Sequence, residues 1–348
     1  MAYSSIAKPT DYFNTILWTG NGADGRALTG VGFQPDWVWI KNRDTASNHS
    51  EYDVIRTATK RLRPNLTNAE DTKSNGLQSF DSDGFTVGDS TVENNSGDGI
   101  VAWNWLAANG TASNGDGSIT STVSANTTAG FSIVSYTGTG SNATVGHGLG
   151  AAPSYIIIKD RDNSRSWIVG SDGIGWGNYM SLDGTDASTS LSSIWNSTAP
   201  TSTVFSVGTA ANTNNSGSKL IAYCFAEKKG YCKVGTYTGN GNADGTFVYT
   251  GFKPAWIMLK KSTASGTSWI MFDNKRATYN PAYNRLHAEL TDAEYTTAYG
   301  LDMLSNGFKL ITSDSSFNNS GDTYIYMAFA ENPFVANDSG TAVPVVAR

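Results

Sequence analysis

The chain has 348 residues, only 16% of them charged, with a net charge of −6 and a pI of about 5.1. That balance speaks against nucleic acid, whose phosphates call for a clustered positive surface; the densest basic stretch, Lys60-Arg61-Leu62-Arg63, reads as a solvated loop. The apolar runs are a few residues long where a bilayer span needs about 20, and Met1 to Lys8 has neither a basic start nor an apolar core. No membrane insertion and no signal peptide are expected, so the chain is expected to be made in a cytoplasm.

Residues 1–10 form a polar N-terminal arm without periodicity. A first unit, 11–108, opens with Tyr12-Phe13-Asn14-Thr15-Ile16-Leu17-Trp18 as a strand and a Gly/Asn loop, Gly20 to Gly25. Pro35 then leads Trp37-Val38-Trp39-Ile40, closed by Lys41. Four apolar residues, β-branched or aromatic, between a proline and a charge predict a strand buried on both faces. Thr67-Asn68-Ala69-Glu70 has the spacing of a capping box for one helical turn. Gly84-Phe85-Thr86-Val87 alternates as a strand, Asn94-Asn95-Ser96-Gly97 is a turn, and Ile100 to Trp105 closes the unit.

Residues 109–129 are rich in Gly, Ser, Thr and Asn and predict a linker. A second unit, 130–227, repeats the buried strand as Tyr155-Ile156-Ile157-Ile158 after Pro153 and the ending as Leu220 to Phe225. Its Thr185-Asp186-Ala187 is followed by Ser188 in place of the glutamate. The third unit, 231–332, returns every landmark: the Gly239 to Gly245 loop, Trp256-Ile257-Met258-Leu259 after Pro254, Thr291-Asp292-Ala293-Glu294, Asn319-Ser320-Gly321 and Tyr324 to Ala330. Residues 333–348 read as a C-terminal arm. The proline spacings, 153 − 35 = 118 and 254 − 153 = 101, give units of a size that buries its own core. The expected fold is all-β: three tandem β-sandwich, jelly-roll-like modules, each burying its Trp37-type strand against the Trp103-type strand of the opposite sheet.

Few residues offer chemistry. Asp53/Arg56 and Asp273/Arg276 recur at one spacing, as loop-anchoring ion pairs or as a repeated ligand contact, and the second unit lacks them. Asp24 and Asp244, with Asn21 and Asn240, sit in glycine loops whose oxygens suit Ca²⁺ or ordinary turns, and EF-hand spacing is missing. His49, His147 and His287 fall at unrelated points, with no hydrolase or metal motif beside them. Cys224 lies within an apolar strand and reads as a small buried hydrophobe; its bonding to Cys232 is open. Trp176, Tyr179 and Trp195 lie in the Gly/Ser-rich interior of the divergent unit, either as ligand-contact rings or as core.

The series Tyr-Thr-Gly-Asn-Gly (Tyr237 to Gly241), Gly-Phe-x-Pro-x-Trp, Asp-x-x-Arg, Thr-x-Ala-Glu, Gly-Phe and Asn-Ser-Gly resembles a repeat module of virion proteins of tailed bacteriophages, marine and cyanobacterial ones in particular, over residues 11–332. The resemblance implies a virion-surface protein, non-enzymatic and without a cofactor: a tail fibre or adhesin meeting a host-surface glycan or protein beside other virion proteins. A capsid decoration protein is the alternative and a polysaccharide depolymerase the third reading. By analogy it also implies a homo-oligomer, with a trimer as the guess.

Overall fold

The computed structural model describes Ser4, residues 6–297 and 299–333, and the backbone of 335–338 and 341–344. The chain is nearly all β, as expected, and its helices are single turns such as Ser315–Asn318. Each repeat builds a large sheet and a small one. In the first, Phe13–Thr19, Gly99–Trp105, Trp37–Asn42 and Ser50–Asp53 are neighbours in that order, and Arg26–Thr29, Gly84–Val87 and Leu77–Asp81 form the small sheet. The third repeat has the same order in Cys232–Thr238, Thr323–Pro333, Phe252–Lys261 and Ile270–Asp273, extended by Leu286–His287.

Alternation along the buried strands decides the packing. Val38 and Ile40 point into a cluster with Leu28, Phe85 and Val87, between the two sheets of the first repeat. Trp37 and Trp39 point the other way, into a core that also takes Tyr155 and Ile157 from the second repeat and Trp256 and Met258 from the third. The remaining residues of those strands, Ile156 and Ile158 or Ile257 and Leu259, line the private cores of their own repeats. A period of two thus splits each strand between a private core and one shared by all three repeats.

Two expectations change. The Trp37 and Trp103 strands are not on opposite sheets; they are antiparallel neighbours in one sheet, with Trp39 opposite Trp103 and Trp37 opposite Trp105. The tryptophans therefore gather in the shared core, where Trp37 stacks on Tyr223 of the second repeat at 4.4 Å and Trp105 meets Trp256 of the third at 5.8 Å. The expected linker, 109–129, carries the strands Ala112–Asn114 and Ser121–Asn126, which extend the second repeat's large sheet to eight strands. Its Ser/Thr alternation suits an edge that is wet on one side.

Ile6 of the N-terminal arm, 1% exposed, inserts into the shared core of its own chain. In the C-terminal arm, Val335–Asp338 and Thr341–Pro344 pair as a hairpin. The side chains of 334–348, and Met1, Ala2, Tyr3 and Ser5, lie outside the described residues.

Candidate functional site

The recurring charged residues gather at two of the three joints between repeats. Asp53 and Arg56 form a buried ion pair, both side chains at 0% exposure, and Asp53 Oδ2 also accepts the Tyr223 hydroxyl of the second repeat at 2.8 Å. Asp273 and Arg276 repeat this, with Asp273 Oδ2 accepting the Trp103 indole N–H of the first repeat at 3.0 Å. Each pair anchors a loop within its own repeat, Arg56 also reaching Glu51 O and Arg276 reaching Met271 O, and each aspartate in addition holds a ring of another repeat.

Thr67-Asn68-Ala69-Glu70 caps no helix, since these residues are irregular. Glu70 instead takes Arg161 of the second repeat in a fork of 2.9 and 3.1 Å, while its amide donates to Arg161 O at 2.8 Å. Glu294 takes Arg43 of the first repeat in the same way, with its amide on Arg43 O at 2.7 Å. At the joint between second and third repeats the amide bond persists, Ser188 N to Ser262 O at 2.9 Å, but both charges are gone.

Ring nitrogens complete the circuit. Trp167 Nε1 donates to Arg63 O and Trp269 Nε1 to Ser181 O, at 2.9 Å each. His49 takes the corresponding place, Nδ1 accepting from Trp39 Nε1 at 2.8 Å and Nε2 facing His287 O at 3.0 Å. An indole only donates and a carbonyl only accepts, so His49 is neutral with its proton on Nε2. Burial, which holds its pKa well below the usual value, agrees. First to second, second to third and third to first, each joint has the same polarity: a heterologous contact that closes within one chain.

The glycine loops are structural too. Asn94, Asn214 and Asn318 each accept a loop amide, from Asn21, Thr139 and Asn240 at 3.1, 2.7 and 3.0 Å. A Cβ on Gly20, Gly138 or Gly239 would lie 1.9, 2.2 or 2.3 Å from the carbonyl oxygen of the next asparagine, so only glycine fits. Asp24 accepts from Gln78, and Asp244 pairs with Lys309. Among the described residues no group of three His, Cys, Asp or Glu side chains is placed to hold a metal ion.

The ligand-contact reading of Trp176 and Trp195 is corrected. They are 7% and 0% exposed and meet edge to face at 5.2 Å in the private core of the second repeat, with Tyr179 half-buried against it. The Gly/Ser-rich setting that made them look like surface rings is the tight winding needed to bring two indoles together; a Cβ on Gly170 would strike both. Cys224 and Cys232 are buried and unbonded.

Exposed aromatic surface gathers elsewhere. Of eight large hydrophobic side chains that are exposed among the described residues, six belong to the third repeat: Phe247, Tyr249, Tyr279, Tyr283, Tyr295 and Tyr299. The last four lie on two segments that run side by side, bridged at Ala282–Leu301 and Arg285–Tyr295. From Arg276 to Glu294 the chain takes 18 steps where Arg56 to Glu70 takes 14, so the third repeat carries an insertion here. Its tyrosines and extra length are the sequence signal for it, and they lie in what this repeat does not share with the others.

Beside these segments, Arg285 lies between the rings of Tyr295 and Tyr299, at 4.8 and 5.5 Å, and His287 stacks on Tyr295 at 4.9 Å. A cavity of about 90 Å³ opens against Arg285, His287 and Tyr299. The arrangement offers a cation, an imidazole and aromatic faces at one surface, the equipment of a binding site.

Neither the curated proteins nor the solved structures contain a match to this chain. A family profile described as a domain of unknown function, DUF7483, matches residues 8–333, which span all three repeats, and the chain belongs to that family.

Proposed function

We propose that the protein is a non-enzymatic binding protein of a virion surface, a tail-fibre or adhesin component of a tailed bacteriophage that meets a host-surface glycan or protein through the tyrosine-bearing segments of its third repeat. The virion setting rests on the motif resemblance over residues 11–332. The binding role rests on one observation: six of the eight exposed large hydrophobic side chains fall on a single repeat, four of them on its paired segments. Exposed tyrosines supply contact area with little side-chain entropy to lose. The non-enzymatic reading is supported by the employment of the recurring carboxylates, since Asp53, Asp273, Glu70 and Glu294 are each held by an arginine.

The test is binding of the labelled, purified chain to host cells. Saturable binding that falls at least tenfold in Tyr279→Ser/Tyr283→Ser, with an unchanged melting temperature, is the expected result. Binding that is non-saturable, or indifferent to these exposed side chains, would end the adhesion reading. The capsid-decoration alternative draws on the closed ring of joints, which suits a rigid stabilising part; it predicts no cell binding and particles that lose heat resistance when the protein is removed.

A further inference from the structure

Arg285 and Arg61 occupy equivalent places in the third and first repeats. Arg61 pairs across its short ladder with Asp71, whose carboxylate holds it at 2.7 Å. Arg285 pairs across the equivalent bridge with Tyr295. A ring has replaced the carboxylate, and among the described residues no acid forms an ion pair with Arg285, although it is only 8% exposed. Its Nη1 donates to Thr297 O at 2.8 Å and sits 3.5 Å from Tyr299 O; no described residue takes a hydrogen bond from Nε or Nη2. A guanidinium nearly out of water, with half its fork unused, is a standing receptor for a planar anion.

The cavity of about 90 Å³ that Arg285 lines has other unused capacity. His287 lines it too, and both its ring nitrogens are buried without a partner. Burial and the Arg285 charge push its pKa down to about 4, so at neutral pH the ring offers one donor and one acceptor. Ser316 adds a hydroxyl, while that of Ser268, also on the lining, is engaged with Glu289. Asp314 also borders the space; its Oδ1 takes the Ser316 amide at 2.8 Å, and its charge partly offsets that of Arg285, which disfavours a doubly charged visitor such as a phosphate. A substituent can enter this space while the ring that carries it lies next to Tyr299.

We propose that this cavity receives the carboxylate and neighbouring hydroxyl of an acidic sugar of the uronic-acid class, the carboxylate on Arg285 and the hydroxyl on His287. The assignment deepens the host-binding reading and rests on it for the source of the sugar. It replaces Asp71 of the first repeat with a carboxylate from outside.

The experiment titrates the intact chain with glucuronic acid, its neutral amide and glucose, followed by protein-observed NMR or calorimetry. Saturable binding of glucuronic acid, with the amide and glucose at least tenfold weaker, is expected, and Arg285→Lys should weaken glucuronic acid at least tenfold at an unchanged melting temperature. Equal binding of all three sugars, or none by glucuronic acid, overturns the assignment, as does a folded Arg285→Lys protein that binds like the parent. Should that variant fail to fold, the contrast between acid and amide decides alone. Cells bound without glucuronic acid binding remove this assignment and leave the adhesion reading standing; glucuronic acid bound without cell binding does the reverse.

Discussion

Trp103 of the first repeat donates its indole N–H to Asp273 of the third across 3.0 Å, both side chains shut off from solvent. The same joint between second and first repeats uses Tyr223 and Asp53 at 2.8 Å. At the remaining joint the strand registers put Ser171 in the place of the aspartate and Met327 in the place of the ring donor. Ile174 stands where the arginine would be and packs on the shared core. The polar groups have left from both sides together, because either half kept alone would be a buried group without a partner.

Removing one half by mutation should be costly. Asp273→Ala leaves Arg276, whose side chain is 0% exposed, with Glu294 as its remaining carboxylate and takes away the acceptor of the Trp103 indole, and should cost about 3–5 kcal/mol. Urea denaturation of the variant measures it. A loss below about 1 kcal/mol would show that the guanidinium finds other partners without strain.

The shared core predicts that no repeat stands alone. A fragment of residues 231–333 would turn Trp256, Met258, Met327 and Phe329 toward water, a contiguous apolar face of the kind that drives association. Calorimetry should give no cooperative melt for the fragment and one transition for the whole chain, and Trp37→Ala should lower the stability of the whole by about 3–5 kcal/mol. A fragment that melts sharply would mean the repeats are independent modules after all.

The repeat, the strands and their two buried faces could all be read from Pro35, Pro153 and Pro254 and the apolar runs behind them. What lies opposite a buried face cannot be read from the face itself, because Trp37 obeys the same alternation whether its neighbour is its own small sheet or another repeat. Thr67 to Glu70 has two readings for a related reason: the spacing that caps a helix also lets a carboxylate reach a partner strand. Trp176 and Trp195 have two as well, because glycine marks exposed loops and tight cores alike. The Arg285 cavity was beyond sequence, since it depends on the bridge that sets Tyr295 where the first repeat has Asp71.

The uncharged joint can be rebuilt. Ser188 and Ser262 already share the backbone bond that accompanies the Glu294–Arg43 pair, so Ser188→Glu with Ser262→Arg should form the missing fork. A double-mutant cycle by thermal denaturation should give a favourable coupling of about 1 kcal/mol, each single change being neutral or harmful. Additive single effects would show that the joint differs in backbone geometry as well as in charge.

Acid–base behaviour should carry the mark of the shared core. Glu51 is fully buried, and burial lifts its pKa to about 8 against the pull of Arg56 and the nearby Trp37 indole. Above the ordinary carboxyl value of 4.5 the unfolded chain has shed this proton while the folded chain keeps it, so stability falls as pH rises toward 8. Glu289, lifted to about 7, has the same sign. His49 and His287, both held low, oppose the trend below 6.5, leaving a clear decline from there to about pH 8. Lys41, Lys159 and Lys260 are brought down by burial to about 8. Above 8 the unfolded chain holds lysine protons that the folded chain has lost, and stability climbs again until the thiols of Cys224 and Cys232, above 9.0, and the buried tyrosines, above 10.0, pull the other way. Melting temperature against pH should therefore pass through a minimum near 8, with Glu51→Gln flattening the acid side and Lys159→Met shallowing the alkaline one. A monotonic profile, or one that Glu51→Gln leaves untouched, would mean that water reaches the carboxyl in the core.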